Sequence, residues 1–478
     1  MNLPIKAILL GAGNRGLTVY GEYSLKNPHR LKFVGVAEPI KARREKFAQL
    51  HKIPANKCFK SWEGLLEQEK FAEICIISTQ DQQHVDPTLI ALEKGFDVLL
   101  EKPMANTLGG CVEIVKKAER TGRMLGIAHV LRYTKFFSTI QEIIQKGLLG
   151  DIINISHREN VTWYHMAHSF VRGNWRNVEN SSPMILAKCC HDLDLLFWLI
   201  GSHPTKINSF GNLMHFNQRN APKGAPYYCV MGCPSSKSCL YFAPRIYIDI
   251  IPILHEIKKS NIHLYKILAN LRQNHKRFIK FLSKLIKPLK RLIEFREWPV
   301  EPIYSGREEE ESEDYSDKAK FNILRTSPYG RCVYRCDNDV VDHQVVNIEF
   351  ENGTTANLTM HGFSEREGRT LRIDGTKATL IGFFYSTGEK IKLYDHLSGN
   401  KEIIYSQKFS AKTSNHGGGD FRFISAYLDS ISRGDRSQPL TNAKVTLESH
   451  LMAFAANESR LNNSVVDMKE FRKNAGFL

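Results

Sequence analysis

Residues 5–16 read IKAILLGAGNRG, and this stretch decides the fold class of the chain. Its apolar run ends in a Gly-x-Gly-x-x-Gly motif, and a helix-like pattern follows. The first glycine permits a tight turn, the second lets the backbone approach a pyrophosphate, and the third lets helix and strand pack closely. The alternative is a glycine turn in an α/β domain without a ligand. The order of strand, turn and helix predicts a dinucleotide-binding loop formed by Gly11, Gly13, Asn14, Arg15 and Gly16.

A carboxylate stands at the end of the second apolar run. Leu31 to Ala37 is followed directly by Glu38. A carboxylate at this position accepts hydrogen bonds from the adenosine ribose hydroxyls and repels a 2′-phosphate. Arg43 and Arg44 weaken this argument, because they could neutralise such a phosphate. The sequence therefore predicts NAD as the cofactor, with NADP as the less favoured alternative.

The remainder of the first 130 residues alternates between two patterns. Short apolar runs recur at 74–78, 98–100 and 124–130, and helix-like patterns occupy 41–51, 85–94 and 108–121. Strands that alternate with helices indicate parallel βαβ units. Residues 1–130 are therefore predicted to form an α/β Rossmann domain with a doubly wound parallel sheet.

Residues 131–478 follow a different pattern and are predicted to form an α+β domain with a mostly antiparallel open sheet. Strands are expected at 152–156, 345–350, 354–360 and 370–373, and a helix at 190–199. The turn Glu351-Asn352-Gly353 is typical of a hairpin. Residues 217–340 resemble an insertion, because they are rich in cysteine and in basic residues.

Two further motifs make the chain similar to a known family. Glu101-Lys102-Pro103 follows the fifth predicted strand, and His191-Asp192-Leu193-Asp194 opens the helix at 190–199. Together with the glycine motif they resemble the Gfo/Idh/MocA oxidoreductases. The resemblance implies an inositol 2-dehydrogenase-like or sugar dehydrogenase that performs NAD(P)-dependent redox chemistry on sugars, cyclitols or similar polyols. It also implies cofactor contacts from Thr79, His84, Glu101 and Lys102.

Oxidation of a secondary alcohol requires hydride transfer to a nicotinamide and proton transfer to a base. By resemblance, Lys102 and His191 are the catalytic pair; a surface lysine and a buried structural histidine are the alternatives. Many relatives carry an aspartate four residues before the histidine, whereas this chain has Ala187 there and Lys188 next to it. Lys188 is therefore expected to act as acid/base or to bind a substrate oxygen or acidic group.

The segment 165–176 contains two histidines, two arginines, a tryptophan and an asparagine. A tryptophan can stack on a sugar face and polar side chains can bind hydroxyls, so the segment suits carbohydrate recognition. A polar loop anchored by its tryptophan is the alternative. The predicted substrate residues are His165, His168, Arg172, Trp175 and Arg176, with Asp194 expected to orient or cap the site. The segment His416 to Asp420 is expected to start a helix near the pocket.

Ten cysteines are too few for a disulfide scaffold in a chain of 478 residues. In the absence of a secretory signal we expect a cytoplasmic protein with mostly free thiols. Cys229, Cys233 and Cys239 in the insertion, with Cys332 and Cys336 after it, could hold zinc or an iron–sulfur centre. A set of free or buried thiols is the alternative.

The formal net charge is +16, and residues 255–297 alone hold twelve Lys and Arg against three acids. That basic helix could bind an anionic surface, act as a lid, mediate oligomerisation or be a solvated face partly neutralised by the acids at 308–314. No nucleic-acid-binding motif accompanies the charge, so no nucleic-acid partner is expected. No apolar run reaches the roughly 20 residues of a membrane helix.

The expected partners are a small carbohydrate or cyclitol substrate and further copies of the chain. Two other functions remain open at this stage. One is a redox-cycling glycoside hydrolase, in which NAD oxidises a sugar hydroxyl, the aglycone is eliminated and the sugar is reduced again. The other is a nucleotide-binding sensor or scaffold that uses the insertion as an interaction surface.

Overall fold

The computed structural model describes residues 3–259, 263–275, 295, 297–304, 316–408, 416–435 and 440–476. The predicted acidic run at 308–314 and most of the predicted basic helix lie outside these residues. Within the described part of the chain, no helix is long and apolar enough to cross a membrane.

The first sheet is parallel and has the order β3-β2-β1-β4-β5-β6. Its strands are β1 (Ile5–Leu10), β2 (Leu31–Ala37), β3 (Cys58–Phe59), β4 (Ile74–Ile77), β5 (Asp97–Leu100) and β6 (Leu125–Ile127). The central strands are almost wholly buried, which explains why they read as continuous apolar runs. The strand order reverses between β1 and β4, and ligands bind at such a switch point, outside the carboxyl ends of the strands. The predicted Rossmann fold is confirmed.

Helices cover both faces of this sheet. They are Glu22–Lys26, Lys41–His51, Trp62–Leu66, Val85–Glu93 and Leu108–Thr121, with a π-helical turn at Gly16–Gly21 and 3-10 turns at Ala55–Lys57, Asp81–Gln83 and Val130–Tyr133. Helix Lys135–Gln145 follows and packs against the second sheet. The helix Leu108–Thr121 illustrates how local sequence sets these bounds. The Thr107 side chain accepts a hydrogen bond from the Gly110 amide at its start, and Gly122 ends it in the left-handed conformation.

The second sheet has nine strands in the order β14-β13-β12-β11-β7-β10-β9-β8-β15. They are β7 (Ile152–Thr162), β8 (Pro204–Asn212), β9 (His343–Phe350), β10 (Thr355–Ser364), β11 (Gly368–Gly375), β12 (Ala378–Tyr385), β13 (Gly388–Asp395), β14 (Lys401–Lys408) and β15 (Val466–Asp467). Only β7 and β10 pair in parallel, so the predicted mostly antiparallel sheet is confirmed.

The remaining helices lie against this sheet, in the insertion between β8 and β9 or, in one case, against the first sheet. They are Trp163–His165, Met184–Ala187, Cys190–Ile200, Ala243–Tyr247, Ile251–Lys259, His263–Asn274, Asp317–Ile323, Gly419–Arg433, Ala443–Asn462 and Met468–Asn474, with a π-helical turn at Met166–Arg172 and 3-10 turns at Gln218–Asn220, Glu301–Tyr304 and Pro328–Gly330. Helix Cys190–Ile200 packs between β7 and helix Ala443–Asn462.

One C-terminal helix returns to the first sheet. Phe423, Ile424 and Tyr427 of helix Gly419–Arg433 are buried in the same apolar cluster as Leu9 of β1. A division of the chain at residue 130 therefore separates this helix from the sheet on which it packs. The same helix begins beside the glycine loop, which places its first residues at the site described next.

Candidate active site

The glycine loop between β1 and its helix has the shape that a dinucleotide requires. Gly11 has φ +91, and a Cβ there would lie 2.6 Å from the Ser78 carbonyl oxygen. A Cβ at Gly16 would lie 2.3 Å from the carbonyl oxygen of Gly11. A Cβ added at Gly13 would have Nη1 of Arg43 as its nearest neighbour outside the adjacent residues, 4.0 Å away. The backbone of Gly13 is therefore open to a ligand. The loop therefore fits the pyrophosphate of a dinucleotide.

The Glu38 carboxylate is held against this loop. One of its oxygens accepts the Ala12 amide at 2.8 Å and the other accepts the Ile40 amide at 3.0 Å. A carboxylate has about four acceptor sites, so both oxygens can also accept ribose hydroxyls. Arg44 donates to the carbonyl oxygens of Glu38 and Pro39 at 2.5 and 3.2 Å. The sequence-predicted ribose ligand thus lies at the loop.

Arg15 and Glu101 form an ion pair beside the loop. Glu101 Oε1 accepts Nε of Arg15 and the Tyr20 hydroxyl, each at 2.7 Å. Arg15 Nη2 reaches Oδ1 of Asp420 at 2.7 Å, which joins the helix Gly419–Arg433 to the first domain. Burial alone would raise the pKa of Asp420, but Arg15 and His416 hold it below its ordinary value. Arg15 and Glu101 therefore stabilise the loop rather than present free charges to a cofactor.

Thr79 and His84 brace the turn that carries Lys102. Nδ1 of His84 lies 2.7 Å from the Pro103 carbonyl oxygen and Nε2 lies 3.3 Å from that of Thr79. The Thr79 hydroxyl donates to the carbonyl oxygen of Gln83 at 3.1 Å. His84 is buried, and its two contacts hold the turn in place. The cofactor contacts expected of Thr79 and His84 stay predictions.

Lys102 and His191 meet where the two domains join. Nζ of Lys102 donates to the carbonyl oxygen of Ala187 at 2.8 Å. Ala187 lies shortly before helix Cys190–Ile200, of which His191 is the second residue. His191 is buried, and its Nδ1 has no hydrogen-bond partner among the described residues. Burial, then Lys102 and His129, lower the pKa of His191 well below its ordinary value. Burial and these two neighbours therefore favour the neutral imidazole, which can accept a proton.

His191 belongs to a row of four histidine rings, of which the sequence predicted His191 and His416 near the site but not His129 or His450. Its ring centroid lies 6.0 Å from that of His416 and 5.3 Å from that of His129, which lies 5.5 Å from His450. His129 is fully buried, and neither ring nitrogen has a hydrogen-bond partner among the described residues. In the sequence, the indication of this row was that His129 closely follows the apolar strand β6. The row runs from the half-buried His416 into the interior.

Lys188 is paired with carboxylates next to the catalytic pair. Its Nζ lies 3.0 Å from Oε1 of Glu367 and 3.3 Å from Oε1 of Glu159, while Nδ1 of His165 lies 2.9 Å from Oε1 of Glu367. Burial opposes the charge on Lys188, but the two carboxylates raise its pKa above the ordinary value. These contacts favour a cationic Lys188 that donates hydrogen bonds. Its role as acid/base or in binding a substrate oxygen or acidic group stays a prediction.

Behind Lys188 lies a buried charged network that sequence reasoning missed. Arg369 lies 2.7 Å from Glu159 and 2.7 Å from Asp192, and Asp192 also lies 2.7 Å from Nε2 of His157. Burial raises the pKa of Glu159 to about 7, although Arg369 and Lys188 lower it. The polar residues within β7 were the only signal in the sequence.

Three of the predicted substrate residues are engaged in the interior. His168 stacks on Tyr329, and Asp194 accepts two hydrogen bonds from Arg132, each at 2.7 Å. Arg172 is fully buried, and it donates to the carbonyl oxygens of Arg331 and Tyr241 at 2.8 and 2.7 Å. These contacts tie His168, Arg172 and Asp194 to the insertion or to the domain junction. The substrate roles expected of His168 and Arg172, and the orienting role expected of Asp194, stay predictions.

The other predicted substrate residues lie nearer the surface. His165 is half-buried, and both His165 and Lys188 contact Oε1 of Glu367. His165 remains a candidate for binding the substrate. Nε1 of Trp175 donates to Asp81 at 3.1 Å, and Nε of Arg176 donates to Asp337 at 2.9 Å. Trp175 and Arg176 are each held by a carboxylate, so they border the junction of the domains.

The insertion cysteines do not form a metal centre. All ten cysteines are free thiols, and no three His, Cys, Asp or Glu side chains in the described part of the chain are placed to hold an ion. Sγ of Cys229 lies 3.7 Å from Arg172, and burial raises the pKa of Cys239 and that of Cys332. The geometry thus does not support the predicted zinc or iron–sulfur site at Cys229, Cys233 and Cys239.

The glycine loop and Glu38 form a cradle that fits a dinucleotide, as in NAD-binding oxidoreductases. Comparison with known families agrees: residues 5–129 match the model "Oxidoreductase family, NAD-binding Rossmann fold". Residues 137–225 match the model of the GFO/IDH/MocA C-terminal domain. Over these two ranges the chain is therefore similar to the Gfo/Idh/MocA oxidoreductases.

Individual relatives are distant. The chain is 26% identical over 169 residues to an inositol 2-dehydrogenase of Salmonella paratyphi B, covering 35% of this chain and 46% of that protein. It is 24% identical over 173 residues to a 2,7-anhydro-N-acetylneuraminate hydratase of Escherichia coli, covering 36% and 45%. The chain thus spans about half the length of the curated relatives it matches.

A solved structure shares the whole architecture. Levoglucosan dehydrogenase, in complex with NADH and levoglucosan, superposes with a TM-score of 0.64 over 97% of this chain and 99% of that one. The sequence identity is 13%, so this likeness concerns the fold alone.

Proposed function

We propose that this protein is an NAD-dependent oxidoreductase that transfers a hydride between nicotinamide and a secondary hydroxyl or keto group of a sugar, cyclitol or derivative. The observation that carries the proposal is the hydrogen bond from Lys102 to the Ala187 carbonyl oxygen at 2.8 Å. It holds the lysine from the first domain beside His191 of the second, at the carboxyl end of β5. Similarity to this family and the cofactor cradle support the same reaction class.

The chemistry divides between two side chains. A bound nicotinamide supplies the hydride acceptor. Lys102 donates a hydrogen bond to the reacting oxygen, and this interaction strengthens as negative charge develops there. The neutral imidazole of His191 accepts the hydroxyl proton, and His416 beside it leads toward solvent. Lys188 and His165, both close to Glu367, present polar groups to the other hydroxyls of the substrate.

The direct test is a panel of sugars and inositols incubated with the protein and NAD, followed by NADH absorbance. We expect NADH from at least one polyol, loss of at least about a hundredfold in rate with Lys102→Ala, and normal rate with the exposed control Lys46→Ala. Direct NADH binding is measured in parallel. A polyol oxidised equally by both variants would refute the assignment of Lys102.

A redox-cycling glycoside hydrolase or lyase is the second candidate. Two observations favour it: Lys188 stands beside the position where many relatives carry aspartate, and Glu159 behind it has a pKa of about 7. One matched relative is named a hydratase, a term for addition of water instead of oxidation. Aryl glycosides in the same panel distinguish the two candidates, because aglycone release without net NADH favours the cycling reaction. NADH binding with neither signal would favour the non-catalytic sensor.

We also propose that the protein acts in the cytoplasm as a homo-oligomer with a small-molecule substrate. The family's open sheet face often pairs between subunits, and here that face belongs to the nine-stranded sheet. Light scattering of the purified chain tests the oligomer: a mass near 54.7 kDa would contradict it.

A further inference from the structure

A short piece of the insertion reaches the adenosine side of the cofactor cradle. Residues 297–304 are anchored by Val300 and Ile303, whose side chains are buried in the main apolar core. Oε1 of Glu301, between them, lies 3.7 Å from Nη2 of Arg43. Arg43 in turn is the side chain nearest to the open face of Gly13. The insertion therefore places a carboxylate next to the cofactor loop.

The two arginines that follow Glu38 have different surroundings. Arg44 donates to the carbonyl oxygens of Glu38 and Pro39, which directs its guanidinium to the backbone. Arg43 extends from the same helix toward the glycine loop and meets Glu301 there. Of the two, Arg43 is the one placed to receive a 2′-phosphate, since arginines near this position accept that group in NADP sites.

We propose that Glu301 is a cofactor-specificity residue that disfavours NADP by holding Arg43 in an ion pair. A 2′-phosphate would have to displace the Glu301 carboxylate from the guanidinium and would also be repelled by Glu38. NAD lacks that phosphate and meets neither obstacle. This inference rests on the proposed function only in requiring that a dinucleotide binds at the glycine loop.

The same segment also contacts the substrate side of the site. The Trp298 ring packs edge-on against His165 and His168, with centroids 5.0 and 5.3 Å apart. Glu301 lies three positions after Trp298. The ring contacts of Trp298 and the buried side chains of Val300 and Ile303 together hold the backbone of this segment in place. Glu301 is therefore a positioned partner of Arg43, even though 45% of its side chain remains exposed.

The test measures nucleotide binding to the full-length protein, so it needs no substrate. NADH and NADPH are titrated by fluorescence against the wild type, Glu301→Gln, Arg43→Ala and the double variant. The control is Glu45→Gln, which removes the same charge from the exposed face of the helix that carries Arg43. We expect Glu301→Gln to improve NADPH affinity relative to NADH by about tenfold, and the gain to shrink as salt screens the charges. Arg43→Ala should abolish the gain in the double variant.

The outcomes separate this inference from the proposed function. An unchanged NADPH-to-NADH ratio in Glu301→Gln, an equal shift in Glu45→Gln, or a gain that survives Arg43→Ala would overturn the role of Glu301 while leaving NAD binding intact. A wild type that prefers NADPH would also overturn it. Binding of neither nucleotide to a folded wild type would refute both. Glutamine preserves the shape of the side chain, and a thermal melt confirms that each variant is folded.

Discussion

Replacing Asp194 by alanine should destabilise the protein without weakening its affinity for NADH. Arg132 and Asp194 are almost completely buried, with 2% and 1% of their side chains exposed, and Asp194 accepts both of its hydrogen bonds from Arg132 at 2.7 Å. Removal of the carboxylate leaves a buried guanidinium unpaired, which costs about 3–5 kcal/mol. Urea unfolding followed by circular dichroism measures this loss.

The surface pair of Arg372 and Asp374 provides the matched control. It has the same two-pronged geometry, at 2.7 and 2.8 Å, but its side chains are 56% and 33% exposed. Asp374→Ala should therefore cost no more than about 1 kcal/mol. Asp374 also accepts the Thr379 hydroxyl at 2.8 Å, so the control variant loses one hydrogen bond more than Asp194→Ala. A smaller loss of stability in the control therefore identifies burial as the cause.

The double replacement Arg132→Met with Asp194→Leu should recover most of the loss. Burial raises the pKa of Asp194 even though Arg132 opposes this, so desolvation of the carboxylate outweighs its attraction to the guanidinium. Apolar side chains of similar volume avoid that cost. Equal destabilisation by Asp194→Ala and Asp374→Ala, or a loss of NADH affinity in Asp194→Ala beyond that in the control, would refute the structural role.

Three further predictions follow from the site. Burial lowers the pKa of His129 and of His191 below that of a histidine in the unfolded chain, so the unfolded chain binds more protons as the pH falls below about 6.5. The free energy of unfolding should therefore decrease from pH 7 to 5, seen as a lower urea midpoint, and His129→Phe should make this decrease smaller. Gly13→Val should keep the melting temperature within a few degrees but abolish NADH binding, whereas Gly11→Val should prevent folding. Lys188→Met should weaken substrate binding, seen as a raised KM, while NADH affinity stays constant.

The first sheet was predictable because its signals are local. The strands are buried on both faces and read as apolar runs, and β1 and β2 have the bounds that the sequence predicts. Lys102 and His191 belong to short motifs at strand and helix ends. Candidate site residues that belong to such motifs can be proposed without knowledge of the tertiary structure.

The charged interior was not predictable in the same way. Strand β7 continues to Thr162, beyond the predicted end at residue 156, because its polar residues pair with residues distant in sequence. Glu159 depends on Arg369 for compensation, and Arg172 depends on backbone carbonyls of the insertion. A polar side chain in a sequence gives no indication of whether its partner will be a substrate or another buried group.

The most direct test of the proposed chemistry follows the hydride itself. The protein is incubated with NADH carrying deuterium at the transferable position and a pool of keto-sugars and keto-inositols, and the products are examined by mass spectrometry. The account predicts deuterium on one carbon of a pool member with the wild type, and none with Lys102→Met that still binds NADH. A wild type that binds NADH but labels no pool member, or equal labelling by Lys102→Met, would contradict it.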